Sequence, residues 1–182
     1  MRNALFVVGM AVTTMSACTS NGGGAFKTSS PTSNGEGAPQ ISLSTLAKSP
    51  ANLTFTTVDD DDWAVVTHAS GKATASGGSI TLSLDDFTIF ANPEMPAHIL
   101  GYRVCIAYDQ SPSAWGIAAC SNLVKHPVTM QPGHSETFDP NTVAIPTSAL
   151  SEIGRFWFAI DVEVAGPNQV VGHNFAHSEI SH

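Results

Sequence analysis

Positive charge is scarce in this sequence. Only 7 Lys and Arg stand against 15 Asp and Glu, the net charge is −8, and charged residues of both signs make up 12% of the chain. The few cations are scattered along the sequence. Nucleic acids and anionic bilayers are both bound through clusters of Lys and Arg. The sequence therefore predicts no nucleic-acid partner and no electrostatic adhesion to a membrane.

Motifs of the common enzyme and cofactor classes are also missing. There is no Gly-x-Ser-x-Gly elbow, no phosphate loop with Gly-Lys-Ser or Gly-Lys-Thr, no dinucleotide fingerprint and no His-Glu-x-x-His. Asp161 and Glu163 could act as paired carboxylates, but strand alternation explains their spacing without chemistry. We expect a non-enzymatic protein with no catalytic residues and no cofactor. A small hydrolase or inhibitor is the remaining alternative, because loop-borne sites leave little trace in one sequence.

The N-terminus carries the most specific signal in the chain. Arg2 precedes an apolar run, Ala4–Val12, which is shorter than the roughly 20 residues that a membrane-spanning helix needs. A cation, an apolar stretch and small residues in this order predict a cleaved signal peptide over residues 1–17. The junction Met15-Ser16-Ala17-Cys18 resembles the bacterial lipobox, with Met15 in place of the usual Leu.

This resemblance implies that Cys18 becomes the mature N-terminus and carries palmitate-like acyl chains that anchor the protein in a membrane. Each buried methylene contributes about 0.8 kcal/mol, so several chains hold a protein stably. Thr19 stands where an Asp would signal inner-membrane retention, so the resemblance favours the outer membrane, on its periplasmic face or at the cell surface. The alternative is an ordinary secretory peptide that leaves Cys18 as a free thiol.

The segment behind the lipobox differs in composition from the rest of the chain. Residues 18–40 are rich in Ser, Thr, Asn, Gly and Pro and contain few apolar residues. Such a composition cannot build a core and is typical of a flexible linker, with a root-mean-square reach of roughly 25 Å. We therefore expect a folded domain over residues 41–182.

Apolar residues of this domain recur mainly at every second position, which predicts strands. The clearest face contains Phe156, Phe158, Ile160, Val162 and Val164, with Trp157, Ala159, Asp161 and Glu163 opposite, as in a half-buried strand. Seven or so short strands predict an all-β fold, an immunoglobulin-like antiparallel β-sandwich with Greek-key connections. Further strands are expected near residues 53–58, 63–69, 80–89, 102–108, 116–124, 142–146 and 168–176.

Turn signals refine this arrangement. The apolar residues occupy even-numbered positions up to Leu84 and odd-numbered positions from Phe87. This slip in apolar parity predicts a β-bulge around Asp85 and Asp86. Hairpins are expected near Gly71-Lys72, near Gly77-Gly78 and near Gly166-Pro167-Asn168.

Two cysteines remain once Cys18 is assigned to lipid. Cys105 and Cys120 are predicted to form a structural disulfide in an oxidising compartment. Cys105 shares a face with Arg103 and Ala107, so the bond should lie off the main core and join adjacent strands across the loop that contains Pro112 and Trp115. A redox-active pair is the alternative, but the spacing is not Cys-x-x-Cys.

Histidine and methionine suggest a second hypothesis, a periplasmic copper- or zinc-binding lipoprotein. The candidate ligands are His173, His177 and His182 near the C-terminus and Met95 and His98 in a Pro-flanked turn. On an extended strand His173 and His177 stand about 13 Å apart, too far to share one ion.

The acidic run 59–62 departs from the calcium-loop pattern at Ala64 and Ser70 and is interpreted as a solvated turn.

Three segments support a family resemblance. Ile80–Asn92, Tyr102–Asp109, and Arg155–Asp161 with Val170–Asn174 resemble bacterial immunoglobulin-like and CARDB-type cell-surface modules. The chain departs from them at its His-rich end. The resemblance implies adhesion, spacing or assembly. We therefore expect an envelope protein that binds another protein or a glycan, with Trp115 and Trp157 as exposed contact residues.

Overall fold

The computed structural model describes residues 39–57, 64–67, 69–111, 114–165 and 171–181. They contain a short helix α1, Leu43–Leu46, and a 3₁₀ turn, Thr147–Leu150. They also contain twelve strands: β1 Ala51–Thr57, β2 Ala64–Thr67, β3 Ala69–Ser76, β4 Ser79–Leu84, β5 Phe87–Ala91, β6 Ala97–Ser111, β7 Ala114–Cys120, β8 Val124–Met130, β9 Ser135–Phe138, β10 Asn141–Pro146, β11 Trp157–Ala165 and β12 Val171–Ser181.

Nine of these strands form one antiparallel sheet. Their order is β10-β4-β3-β1-β12-β11-β6-β7, and β8 pairs with β6 beyond the part that β7 covers. The last strand, β12, therefore lies between the first strand and β11, and it pairs with both along most of its length. This insertion places β11 and β12 at the middle of the sheet, where side chains on the outer face have neighbours on both sides.

The other three strands form a small antiparallel sheet in the order β2-β5-β9. Their inward side chains and those of the large sheet belong to one hydrophobic core. Phe87 of β5 meets Tyr102 of β6 edge to face, with ring centroids 4.9 Å apart, and stacks on Phe138 of β9. The all-β sandwich with antiparallel sheets is thus confirmed.

Side chains of the large sheet close one edge of the small sheet. The hydroxyl of Thr57 accepts a hydrogen bond from the Val66 amide at 2.8 Å and donates to the Val66 carbonyl at 3.2 Å. The amide of Asn174 donates to the Ala64 carbonyl at 3.2 Å. Exposed strand edges invite pairing with other chains. These bonds occupy edge groups of β2 and join the two sheets at this corner.

The predicted bulge at Asp85 and Asp86 is wrong. β4 ends at Leu84 in the large sheet, and β5 begins at Phe87 in the small sheet. The slip in apolar parity marks the point where the chain crosses between sheets, because each sheet has its own inward direction. Ser70 secures the crossing by accepting from the Asp85 amide through its carbonyl and by donating from its hydroxyl to the Asp85 carboxylate at 2.6 Å.

Of the three hairpin signals, one is confirmed and one is wrong. Gly77 and Gly78 connect β3 to β4 with φ of 58° and 82°, the left-handed values that a two-residue hairpin needs. Gly71 and Lys72 lie inside β3, where a Cβ on Gly71 would stand 2.6 Å from the Ser83 carbonyl oxygen. That glycine therefore permits a close approach between strands. The signal at Gly166-Pro167-Asn168 lies outside the described residues.

The strand β11 differs from its expected half-buried form, since both of its faces are buried. Phe156, Phe158, Ile160, Val162 and Val164 do face the main core. The opposite row, Trp157, Ala159, Asp161 and Glu163, is also buried, with 0% to 7% of each residue exposed. Alternation predicted a solvated face, but neighbouring strands on both sides supply side chains that cover it.

The disulfide between Cys105 and Cys120 is confirmed. The two residues stand directly opposite each other on β6 and β7. Cys105 is fully buried yet lies outside the main core, beside Ala107 on the outer face of the sheet. One part of the prediction is wrong, because Trp115 belongs to β7 and not to the connecting loop. Pro112 lies outside the described residues.

Candidate functional site

Four charged or ionisable side chains meet on the outer face of β6, β11 and β12. Asp161 is opposite Arg103 on β6, and Glu163 is opposite His173 on β12. The Arg103 guanidinium contacts both carboxylates, with Nε 3.5 Å from an Asp161 oxygen and Nη2 against a Glu163 oxygen. Nδ1 of His173 donates to the Asp161 carboxylate and lies 3.1 Å from each oxygen. We call Arg103, Asp161, Glu163 and His173 the outer-face cluster.

The two carboxylates of this cluster are buried. Only 5% of the Asp161 side chain and 10% of the Glu163 side chain are exposed, against 27% for Arg103 and 37% for His173. An ionised carboxylate out of water needs a charged or hydrogen-bonding partner. Arg103 and His173 provide these partners and form the accessible rim of the cluster.

The pairing also affects the titration of His173. The hydrogen bond to Asp161 raises the pKa of the His173 imidazole above its ordinary value, and burial opposes this increase. The charge of Asp161 adds to the rise and that of Arg103 opposes it. With a protonated His173, the two cations and two carboxylates of the cluster balance.

An aromatic cluster adjoins these charges on the same face. Trp115 of β7, Trp157 of β11 and Phe175 of β12 pack around Ala107 and Ala159. The Trp115 ring meets Trp157 and Phe175 edge to face at 5.5 Å and 5.2 Å. Phe175 also stacks on His173 at 6.3 Å, so it lies between the aromatic residues and the charged ones.

His177 completes the aromatic cluster. Its ring centroid is 4.4 Å from Trp157 and 5.5 Å from Trp115. Burial among these rings lowers the pKa of His177 to about 4. Its Nδ1 is buried without a hydrogen-bond partner among the described residues. The ring is therefore neutral near pH 7 and serves as part of a small apolar core.

The expectation that Trp115 and Trp157 are exposed contact residues is wrong. Trp115 is 8% exposed and Trp157 is 1% exposed. Their rings pack on each other over the small residues Ala107 and Ala159, which leave space above the sheet. The exposed large apolar side chains of the described residues are instead Phe90, Ile117 and Val171.

The histidine candidates for metal binding do not form one group among the described residues. His177 lies within the aromatic cluster, and Nδ1 of His98 is 3.0 Å from the Thr129 hydroxyl. Met95 lies in the turn before β6, and His182 falls outside the described residues. Asp161 and Glu163 join His173 instead, and one ligand atom from each lies within 4.8 Å of the others. Among the described His, Cys, Asp and Glu residues, this is the group that could hold a metal ion.

The sequence indicates that Asp161 and Glu163 share an outward face, but it predicts neither their burial nor Arg103 as their partner. The available signal was two acids at alternate positions in an otherwise apolar strand. Their partners come from β6 and β12, which only the strand order reveals. The lipidation candidate Cys18 lies outside the described residues.

No family model, curated protein or solved structure matches this chain. In the described part of the chain, no helix has the length and apolar character to cross a membrane.

Proposed function

We propose that this protein is a lipid-anchored component of the bacterial envelope, held in the outer membrane through Cys18, whose β-sandwich binds a glycan without catalysing a reaction. Another envelope protein is the second candidate partner. The signal-peptide pattern and the lipobox-like junction support the location, and the Cys105–Cys120 disulfide suits an oxidising compartment. The resemblance to bacterial immunoglobulin-like and CARDB-type surface modules supports an adhesive role.

The observation that supports binding is the burial of Asp161 and Glu163 on an outer face. Acidic side chains are almost never buried unless they are paired, and burying an ion pair seldom adds net stability. Here both carboxylates are held in fixed positions by Arg103 and His173 beside the Phe175 ring. Fixed polar groups beside an aromatic surface are typical of ligand sites.

The chemistry of this rim favours a glycan. The Arg103 guanidinium donates hydrogen bonds to sugar hydroxyls, and His173 offers them its second ring nitrogen, since these two side chains are the accessible polar groups of the rim. The partly exposed Phe175 ring offers an apolar face against which the C–H groups of a sugar can pack. A glycan can therefore use both the polar and the apolar parts of the rim.

The outer face of β1, β3 and β4 is also polar, which suits a glycan. On β1, β3 and β4 it presents mainly hydroxyl and amide groups, with Lys72 as a cation among Asn52, Thr54, Thr56, Thr74, Thr81 and Ser83. A face that is polar but poor in charge suits a neutral polymer of hydroxyl groups better than a charged partner.

A glycan-binding measurement with a matched pair of variants tests this function. Full-length protein extracted from membranes is titrated with oligosaccharides released from the cell envelope. We expect Phe175→Ala to weaken binding about tenfold, since an aromatic contact contributes roughly 1 to 1.5 kcal/mol. Phe90→Ala, an exposed aromatic change on the small sheet, serves as the control and should bind as the wild type does.

Three results would contradict the proposal. Equal binding by both variants would place the glycan elsewhere on the molecule. Capture of a stoichiometric envelope protein, with no glycan bound, would favour the second candidate partner. Turnover of any tested oligosaccharide would make the protein an enzyme.

A further inference from the structure

We propose that Asp161, Glu163 and His173 form a binding site for a divalent transition-metal ion, with Zn²⁺ as the ion that fits best. This inference does not depend on the envelope location or on glycan binding. It concerns the outer-face cluster alone and can be tested on the purified chain.

The donor set is appropriate for such an ion. One ring nitrogen and two carboxylate oxygens lie within 4.8 Å of one another. Zn²⁺ binds His nitrogen and carboxylate oxygen at about 2.0 to 2.2 Å, so the donors need to close by roughly 1 Å around it. Ca²⁺ and Mg²⁺ prefer oxygen ligands throughout, and the imidazole therefore selects against them. Three protein ligands leave a fourth position for water or for another ligand.

The strands hold these donors in place. Glu163 and His173 are direct cross-strand partners on β11 and β12. Asp161 precedes Glu163 by two positions and lies on the same face of β11. Both faces of β11 are buried, so its backbone is fixed from each side. The exposed edge of the site is His173, whose side chain is 37% exposed and gives an ion access from solvent.

Arg103 makes the site distinctive, because it contacts the same two carboxylates. Its guanidinium neutralises them when no cation is bound, and its partial exposure allows it to move toward solvent. The metal and the guanidinium therefore compete for one pair of carboxylates. Removing the Arg103 charge should strengthen metal binding, whereas a purely structural ion cluster would only lose stability.

The experiment measures Zn²⁺ binding by calorimetry on full-length protein purified without a tag, at about pH 8 so that imidazole competes well for the metal. Thermal unfolding is recorded with and without Zn²⁺. The variants are His173→Ala, Arg103→Gln and the control His126→Ala. His126 also pairs with an acid, Glu136, at 3.2 Å and is comparably exposed, but it lies outside the cluster.

We expect wild type and His126→Ala to bind one equivalent of Zn²⁺ with equal affinity and His173→Ala to bind at least about a hundredfold more weakly. Arg103→Gln should bind at least about tenfold more tightly, and Zn²⁺ should raise its unfolding temperature more than that of wild type. If Arg103→Gln folds only with Zn²⁺, that result also supports the proposal.

The proposal is overturned if His173→Ala binds Zn²⁺ as His126→Ala does, since the ion would then lie elsewhere. It is equally overturned if wild type shows no saturable binding and Zn²⁺ leaves the stability of Arg103→Gln unchanged. In that case the outer-face cluster is an ion network only.

Discussion

At the scale of single residues, His177 shows how a polar side chain can serve as part of an apolar core. Its ring packs against Trp115 and Trp157, and it is 6% exposed. His173, four residues earlier on the same strand, is solvent-accessible and bonded to Asp161. The two histidines have opposite pKa shifts because desolvation dominates for one and the Asp161 hydrogen bond dominates for the other.

The low pKa of His177 makes folding stability depend on pH. Between its folded pKa of about 4 and its ordinary unfolded value near 6.5, only the unfolded chain takes up the proton. The contribution of neutral His177 is therefore complete above about pH 6.5. It falls by about 1.4 kcal/mol for each pH unit as the pH decreases toward 4.

Replacing His177 with Phe should remove this dependence. We expect His177→Phe to exceed wild type in unfolding free energy by about 2 kcal/mol more at pH 5 than at pH 7.5, measured by urea denaturation. His177→Gln should also lose the dependence but without a gain in stability, because its buried amide stays polar. If the difference in unfolding free energy between His177→Phe and wild type is the same at pH 7.5 and pH 5, His177 is not desolvated.

At the scale of strands, β6 depends on one glycine. Its first part pairs with β8 and its second part with β7, and the β8 register shifts between Ile99 and Gly101. Gly101 has a φ of 153°, and a Cβ there would lie 2.2 Å from the Val124 carbonyl oxygen. Only glycine lets β8 approach β6 at this point. The same edge of β6 can therefore pair with β8 along its first part and with β7 along its second part.

Gly101→Ala should therefore lower the free energy of unfolding by at least about 2 kcal/mol. Gly154→Ala is the matched control, because a Cβ at Gly154 would meet nothing within 4 Å, and its effect should stay within about 0.5 kcal/mol. Urea denaturation of both variants gives the comparison. Equal stabilities would mean that β8 can move away from β6 at little cost.

Period-two alternation predicted several elements well, including β11 and the inward row of β6, because local apolar spacing specifies which face is buried. It missed β3, where Gly71-Lys72 was interpreted as a hairpin, and it missed β8 and β9. β8 contains Pro127, and β9 contains one large apolar residue, Phe138, so neither shows a clear alternation. Asp85 and Asp86 were misinterpreted because a change of sheet and a bulge produce the same slip in parity.

The candidate site was less predictable than the strands. The spacing of Asp161 and Glu163 showed that they share a face, but their contacts with Arg103 and His173 depend on which strands become neighbours. The burial of Trp115 and Trp157 was not predicted for the same reason, since the side chains that cover them come from other strands. Such pairings are set by the whole sheet and leave no local pattern in the sequence.

At the scale of the whole molecule, the N-terminal side of the sandwich is tied in at Ile41. Its backbone pairs with Phe156 through two hydrogen bonds of 2.8 and 2.9 Å. Gln40 is bonded through its carbonyl to Arg155 and through its side chain to Asp109. The proposed anchor at Cys18 would therefore join the sandwich at this junction.

Cys18→Ser tests the anchor. When expressed in a lipoprotein-processing bacterium, wild type should be recovered with membranes, and its intact mass should fit cleavage before Cys18, added acyl chains and one disulfide. The variant should lack acyl mass and leave the membrane fraction, while the Cys105–Cys120 disulfide persists. Thr19→Ser is the control and should remain membrane-bound. Recovery of unacylated wild type away from membranes would refute the lipid anchor.

The position of β12 has a consequence for the order in which the protein can be made. β1 and β11 each need β12 as a neighbour, and both therefore keep an open edge until its last residues are synthesised. A growing chain that stops short of β12 cannot complete the nine-stranded sheet. β1 and β11 thus gain their shared neighbour only after nearly all of the described sandwich has been synthesised.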